Sequence, residues 1–141
     1  MKRAPLKISF LLVVLLLANS CGTTSKTNIT SMLTSHTWEL STLNGKALDL
    51  TKFQTGTPFF RFEDDGKFSG STGCNNFSGN FNLENESLTL NPGAMTRMAC
   101  PGNGEMLVLE ALSMVKNIKI DEDKLTLLDG SRELMTLVPE K

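Results

Sequence analysis

The chain has 141 residues, with 14 basic and 15 acidic side chains, 40% hydrophobic residues, three cysteines and a single histidine. That length suits one domain with a modest core. A near-neutral charge without a basic, aromatic-interleaved run argues against a nucleic-acid partner, and a lone histidine, His36, cannot build a two-histidine metal site or catalytic pair.

Residues 1–20 read as a secretory signal peptide. Lys2, Arg3 and Lys7 form a positive start, and Ile8 to Leu17 is an almost unbroken apolar run, too short to cross a bilayer, which needs about 20 apolar residues. Leu17-Ala18-Asn19-Ser20-Cys21 then resembles a bacterial lipobox, in which the cysteine is lipidated and becomes the mature N-terminus. Ala18 stands where that pattern prefers leucine. Ordinary cleavage after Ala18-Asn19-Ser20 is the alternative, but it gives no reason for a cysteine there. Cys21 is therefore the expected lipid attachment site, palmitate being among the acyl groups. Gly22 rather than aspartate follows it, so the expected location is the outer membrane, facing the periplasm. Removal of the signal leaves eleven basic against fifteen acidic residues, a balance of −4. Residues 21–35, rich in Ser and Thr, read as the anchor cysteine and a flexible tether, with Ile29, Met32 and Leu33 as candidates to begin the packed region.

The domain is expected over residues 36–139. Thr37 to Leu43 predicts a strand with Trp38 and Leu40 inward, ending at the Asn44-Gly45 turn. A short strand is expected around Ala47 to Leu50. Pro58 to Phe62 predicts another strand, with Phe60 and Phe62 on one face, and Asp64-Asp65-Gly66 turns it into Lys67 to Gly70. After a Gly- and Asn-rich loop, Asn80 to Leu83 and Ser87 to Leu90 form a hairpin about Asn85-Glu86. The alternating apolar residues fit a sheet with one buried face.

Asn91-Pro92-Gly93 is expected to break the sheet, residues 94–100 to form a further strand, and Pro101-Gly102 to end it. Asn103 is the expected helix N-cap, with Glu105 well placed in the first turn. Val108, Ala111, Leu112 and Val115 follow helical spacing and predict one amphipathic helix of about three turns. Strands return at Ile118 to Ile120, Lys124 to Leu127 and Glu133 to Val138, and Pro139 ends the fold. The expected class is α+β: a strongly bent antiparallel β-sheet or open β-barrel with one amphipathic helix packed against it.

The informative chemistry lies in Gly73-Cys74-Asn75-Asn76-Phe77-Ser78-Gly79 and in Met95-Thr96-Arg97-Met98-Ala99-Cys100. Glycine and asparagine tolerate the positive φ that tight loops require, and Cys74 and Phe77 read as buried anchors. In an oxidising compartment an even pair of cysteines usually forms a disulfide, so Cys74 is expected to bond Cys100 and to bring the two stretches together; the alternative is two free thiols. Asn75, Asn76 and Arg97 suit either a surface recognition patch or an internal network, with a partly buried Arg97 tied to loop carbonyls as the favoured reading. No nucleophile elbow, phosphate loop, CxxC pair or calcium loop is present, so no enzyme activity, metal or cofactor is expected.

Trp38-Glu39-Leu40, the Gly73-Cys74-Asn75 stretch through Phe77 and Gly79, and Thr96-Arg97-Met98-Ala99-Cys100 resemble, in order and spacing, the META domain (HslJ-like) family of bacterial secreted and outer-membrane proteins. The resemblance covers about residues 36–139. It implies a compact β-rich fold with one helix and a link to heat shock, envelope stress and tolerance of antibiotics such as novobiocin. It implies no enzymatic activity. Gly73, Cys74, Asn75, Phe77, Gly79, Thr96, Arg97 and Cys100 are the positions that carry it. The expected protein is a monomeric, lipid-anchored domain that meets the membrane through its anchor and acts by binding an envelope partner. The rivals are a carrier of a small apolar ligand or lipid in the bent sheet, and an enzyme or inhibitor using the Cys74 loop.

Overall fold

A computed structural model describes residues 24–141; the expected signal peptide and Cys21 lie outside the described residues. Helix α1 (Thr24–Thr34) precedes strands β1 (Thr37–Leu43) and β2 (Lys46–Ala47), a 3-10 turn at Leu50–Lys52, β3 (Phe59–Phe62), β4 (Lys67–Ser71), β5 (Asn76–Glu84) and β6 (Ser87–Met95). Helix α2 (Gly104–Met114) follows, then β7 (Asn117–Asp121), β8 (Lys124–Asp129) and β9 (Arg132–Pro139). All nine strands pair antiparallel, in the order β2-β1-β3-β4-β5-β6-β7-β8-β9, and β1 also pairs with β9. The sheet therefore curls into a ring, in keeping with the expected strongly bent antiparallel sheet.

The ring is uneven. β5 and β6 are paired along most of their length, whereas β6 and β7 share one pair, Ser87 with Asn117. Helix α2 is the connection between those two strands, and its Val108, Ala111 and Leu112 join the core. The seam is held by Leu88 N–H on the Lys116 carbonyl and Ile118 N–H on the Glu86 carbonyl, both at 2.9 Å. The core is aromatic at one side, with Phe68 4.8 Å from Phe77 and 5.0 Å from Phe62 between ring centroids. Trp38, Phe60, Phe62, Phe68, Leu127 and Met135 fill it.

Several expectations need correction. Residues 24–34 of the expected tether are helical: Leu33 is fully buried and its carbonyl accepts the Trp38 indole N–H at 2.8 Å. The domain thus begins before residue 36. Asn91-Pro92-Gly93 does not break the sheet, because β6 runs through it to Met95. Asn91 pairs with Asn80 and Gly93 with Ser78 in one register, which shifts only beyond them, where Phe77 pairs with Met95. Pro92 falls between those two pairs, opposite Gly79, so its missing N–H costs no rung of the β5 ladder. Gly79 is needed there, since a Cβ on it would overlap the Asn91 carbonyl oxygen. No strand spans 94–100 beyond Met95. The short strand near Ala47 is only Lys46–Ala47, and Leu50–Lys52 is a 3-10 turn. The Asn44-Gly45 turn is as expected, with φ of 52° and 72°.

Candidate functional site

The two motif stretches meet where the β4–β5 turn, the segment after β6 and the first turn of α2 converge. β4 ends at Ser71, and Thr72 to Asn75 reverse the chain into β5: Thr72 N–H donates to the Asn75 carbonyl at 2.8 Å, and Gly73 N–H to Ser71 Oγ at 3.1 Å. Gly73 has φ +80°, and a Cβ there would press against Phe53 Cδ1, as would a Cβ on Gly104. The two glycines form a slot in which Phe53 is buried. Cys74 and Cys100 are disulfide-bonded with Cα atoms 5.9 Å apart, within the range such a bond requires.

Asn75 is the hub. Its side chain is almost fully buried, and its Oδ1 accepts Met98 N–H at 2.7 Å and the Thr96 hydroxyl at 2.9 Å. Its Nδ2 donates to the Met98 carbonyl at 3.1 Å and to Glu105 Oε1 at 2.9 Å. Met98 N–H can only donate, so the orientation of the amide follows from the network. Both amide protons and the oxygen are engaged.

Glu105 completes the arrangement. Its Oε1 lies 2.8 Å from Thr72 Oγ1, which also lies 3.0 Å from the Asn75 carbonyl. The Thr72 hydroxyl carries one proton. The Asn75 carbonyl already accepts Thr72 N–H and the carboxylate is the stronger acceptor, so the hydroxyl donates to Glu105. Thr72 Oγ1 in turn accepts Asn75 N–H at 2.9 Å. Glu105 also lies in the first turn of α2, where the helix dipole favours a negative charge. Asn103 stands at the N-cap of α2 as expected, but its side chain makes no cap hydrogen bond.

The remaining motif residues divide by role. Phe77 is a core side chain at the head of β5, and Gly79 is the close-approach glycine opposite Pro92, so both lie in a strand and not in the expected loop. Asn76 is exposed and contributes its backbone: its N–H donates to Thr96 Oγ1 at 3.1 Å, and its carbonyl accepts Thr96 N–H at 3.0 Å. The expectation of a partly buried, bonded Arg97 is overturned. Arg97 is exposed and makes no hydrogen bond or ion pair among the described residues. Asn75 performs the tying that was assigned to Arg97.

Thr72, Glu105 and Phe53 were not read from the sequence as part of this site. A first-turn acid is visible in the chain, but its reach to a β-turn 33 residues earlier is not. His36 is remote from this cluster, stacked edge-on against Trp38 at 5.4 Å and lining a surface recess with Thr37, Arg61, Glu63 and Asp64. Charged pairs lie at hairpin turns. Hydrogen bonds from Lys116 and Arg132 hold the Asp129 carboxyl below its ordinary value, and Lys67 does the same for Asp65. Chemically, the cluster is a lock. Every polar side-chain atom buried in it has a partner, as do all buried side-chain nitrogens and oxygens among the described residues, and both sulfurs are bonded to each other.

Residues 31–141 match the family model of the META domain. The chain is 31% identical over 133 residues to a protein named heat shock protein HslJ from Escherichia coli strain K12, covering 91% of this chain and 92% of that one. Among solved structures, an NMR structure of a protein 29% identical to this one superposes with a TM-score of 0.61, over 78% of this chain and 93% of that one. The crystal structure of a DUF4847 family protein from Bacteroides vulgatus, 17% identical, gives 0.63 over 80% of this chain and 98% of that one. The NMR structure of a protein from Burkholderia xenovorans, 19% identical, gives 0.60 over 86% and 92%. The last two likenesses concern the fold alone.

Proposed function

Because the chain belongs to the META domain family, we propose that it is a lipid-anchored protein of the bacterial envelope that acts by binding, not catalysis, in tolerance of heat or envelope stress. The anchor is Cys21, directly after the apolar run and Ser20, and the membrane is the outer one, facing the periplasm. The stress role follows the name of the Escherichia coli relative, a heat shock protein.

One observation carries the binding part of this reading. Thr72, Asn75 and Glu105, the residues with most chemical capacity in the motif, are saturated by one another, and Cys74 and Cys100 are joined. The one hydroxyl beside a carboxylate, Thr72 on Glu105, is fully buried and also accepts Asn75 N–H, so it is not presented to a substrate as covalent catalysis needs. The cluster fixes a surface instead. The interior gives the carrier reading little support, since Trp38, Phe60, Phe62, Phe68 and Met135 occupy it.

The test compares the parent with Cys21→Ala in a strain lacking the gene. The parent is expected to give an acylated mature N-terminus, to fractionate with the outer membrane and to restore survival under heat or novobiocin. Cys21→Ala is expected to lose all three. An acylated mass on the variant would refute the anchor, inner-membrane fractionation of the parent would refute the location, and unchanged survival without the protein would refute the stress role.

A further inference from the structure

Arg97 sits between two residues whose backbones are tied down on both sides. Thr96 is bonded to Asn76 through its backbone and its hydroxyl, and Met98 gives its N–H and its carbonyl to Asn75. The disulfide closes the segment at Cys100. The side chains of Arg97 and Met98 contribute nothing to this frame: Arg97 is exposed and unpaired, and Met98 is 52% exposed. A cation and a thioether are thus held out to solvent on a fixed backbone.

Their surroundings are almost free of charge. Residues 68–83 contain no Asp, Glu, Lys or Arg, and residues 87–104 contain Arg97 alone. The outward positions of β5 and β6 carry Ser78, Asn80, Asn82, Thr89 and Asn91, with Glu84 only at the hairpin end away from Arg97. Beside Arg97, a shallow recess of about 420 Å³ opens at the register shift, with Phe77, Ala94 and Met95 as its apolar floor and Asn76, Ser78 and Thr96 around it. A charge-depleted surface with Arg and Met prominent is the composition of protein–protein contact regions, where Arg is also a frequent energetic anchor.

Resting on the binding reading above, we propose that this face docks an acidic segment of another envelope polypeptide, a carboxylate meeting Arg97 and a neighbouring apolar side chain entering the recess over Phe77, Ala94 and Met95. Charge complementarity selects the partner, because Arg97 is a cation without a counter-ion on an otherwise neutral face. A lipid surface fits less well. One arginine contributes only about 1 kcal/mol to anionic membrane binding, and the recess lies at the far end of β4 from α1, which reaches the β3–β4 turn through Thr34 and Asp64. A symmetric pair of copies would need a carboxylate in the same patch, and Glu105 is already engaged by Thr72 and Asn75.

The test is a random-peptide phage selection on the full-length chain in detergent. Recovered peptides are expected to combine Asp or Glu with a large apolar residue. Synthetic versions should bind Arg97→Glu and Ala94→Arg at least about tenfold more weakly, as like-charge juxtaposition and a filled recess require, with melting temperatures unchanged. Replacing the peptide's acid by Lys should restore binding to Arg97→Glu. Peptides without an acidic bias, or equal affinity for Arg97→Glu, would overturn the proposal. So would preferential binding of phosphatidylglycerol vesicles, or a dimer in sedimentation that Arg97→Glu dissolves. None of these readouts depends on acylation or stress survival, so the two readings fail separately.

Discussion

Asn75 and Arg97 exchange the roles that their chemistry suggested. Arginine has five donors and looked the better tie for a loop full of carbonyls, but an exposed guanidinium keeps its hydration, and a small amide can be buried fully satisfied. Asn75→Ala would strand Met98 N–H, the Met98 carbonyl and part of Glu105 together. It is expected to destabilise by about 2 to 4 kcal/mol, lowering the melting temperature by on the order of 10 °C for a domain of this size. Arg97→Ala should leave melting within about 0.5 kcal/mol of the parent, as an exposed substitution does. Calorimetry on the two variants separates the structural residue from the displayed one; a larger loss in Arg97→Ala would reverse the assignment. Gly79→Ala belongs with Asn75→Ala, because its methyl would need the Asn91 carbonyl to move.

At the scale of elements, the chain was most legible where one physical rule acted alone. The Asn-Gly turn, the Phe60 and Phe62 face and the Val108, Ala111, Leu112 stripe each follow from local periodicity or turn chemistry. Failures came where a distant partner changed the rule. Pro92 reads as a breaker until Gly79 stands opposite it, and residues 24–34 read as a polar tether until Leu33 and the Trp38 indole meet. Much of the candidate site was invisible for the same reason: Thr72 and Glu105 are neighbours only after β4, β5, β6 and α2 are in place. Helix α1 gives the sharpest check. Leu33 is fully buried, so Leu33→Ala is expected to cost about 2 to 5 kcal/mol. A chain beginning at His36 should unfold at lower urea concentration than one beginning at Thr24, and equal midpoints would show α1 to be dispensable.

For the whole molecule, two constraints act on the ring of strands. The disulfide closes a separation of 26 residues, worth about 3.5 kcal/mol on the chain-entropy account. Dithiothreitol, or Cys74→Ala with Cys100→Ala, should lower the denaturation midpoint accordingly, with no thiol labelling at these positions before reduction. Acid acts through carboxylates at turns. Asp129, Asp65 and Asp49 are held below their ordinary values by Lys116, by Lys67 and by Thr51 respectively. A depressed folded-state value stabilises above the unfolded-state value and is lost as pH falls through the folded one. Stability should therefore be flat near neutrality and decline below about pH 4, by a small amount because these groups face solvent. Asp129→Asn should soften that decline, and an unchanged acid limb would remove Asp129 from the account.

The helix that replaces most of the tether also shortens the leash. Fourteen residues of flexible chain, 22 to 35, would let the domain wander roughly 20 Å from its attachment point. With α1 helical from Thr24 and in contact with β3 and β7, two residues, Gly22 and Thr23, lie between Cys21 and the start of the helix, a span of at most about 10 Å. An acylated Cys21 would then hold the domain close against the bilayer. Its far rim would face the periplasm, and its encounters would be confined to what comes within one domain's height of the membrane.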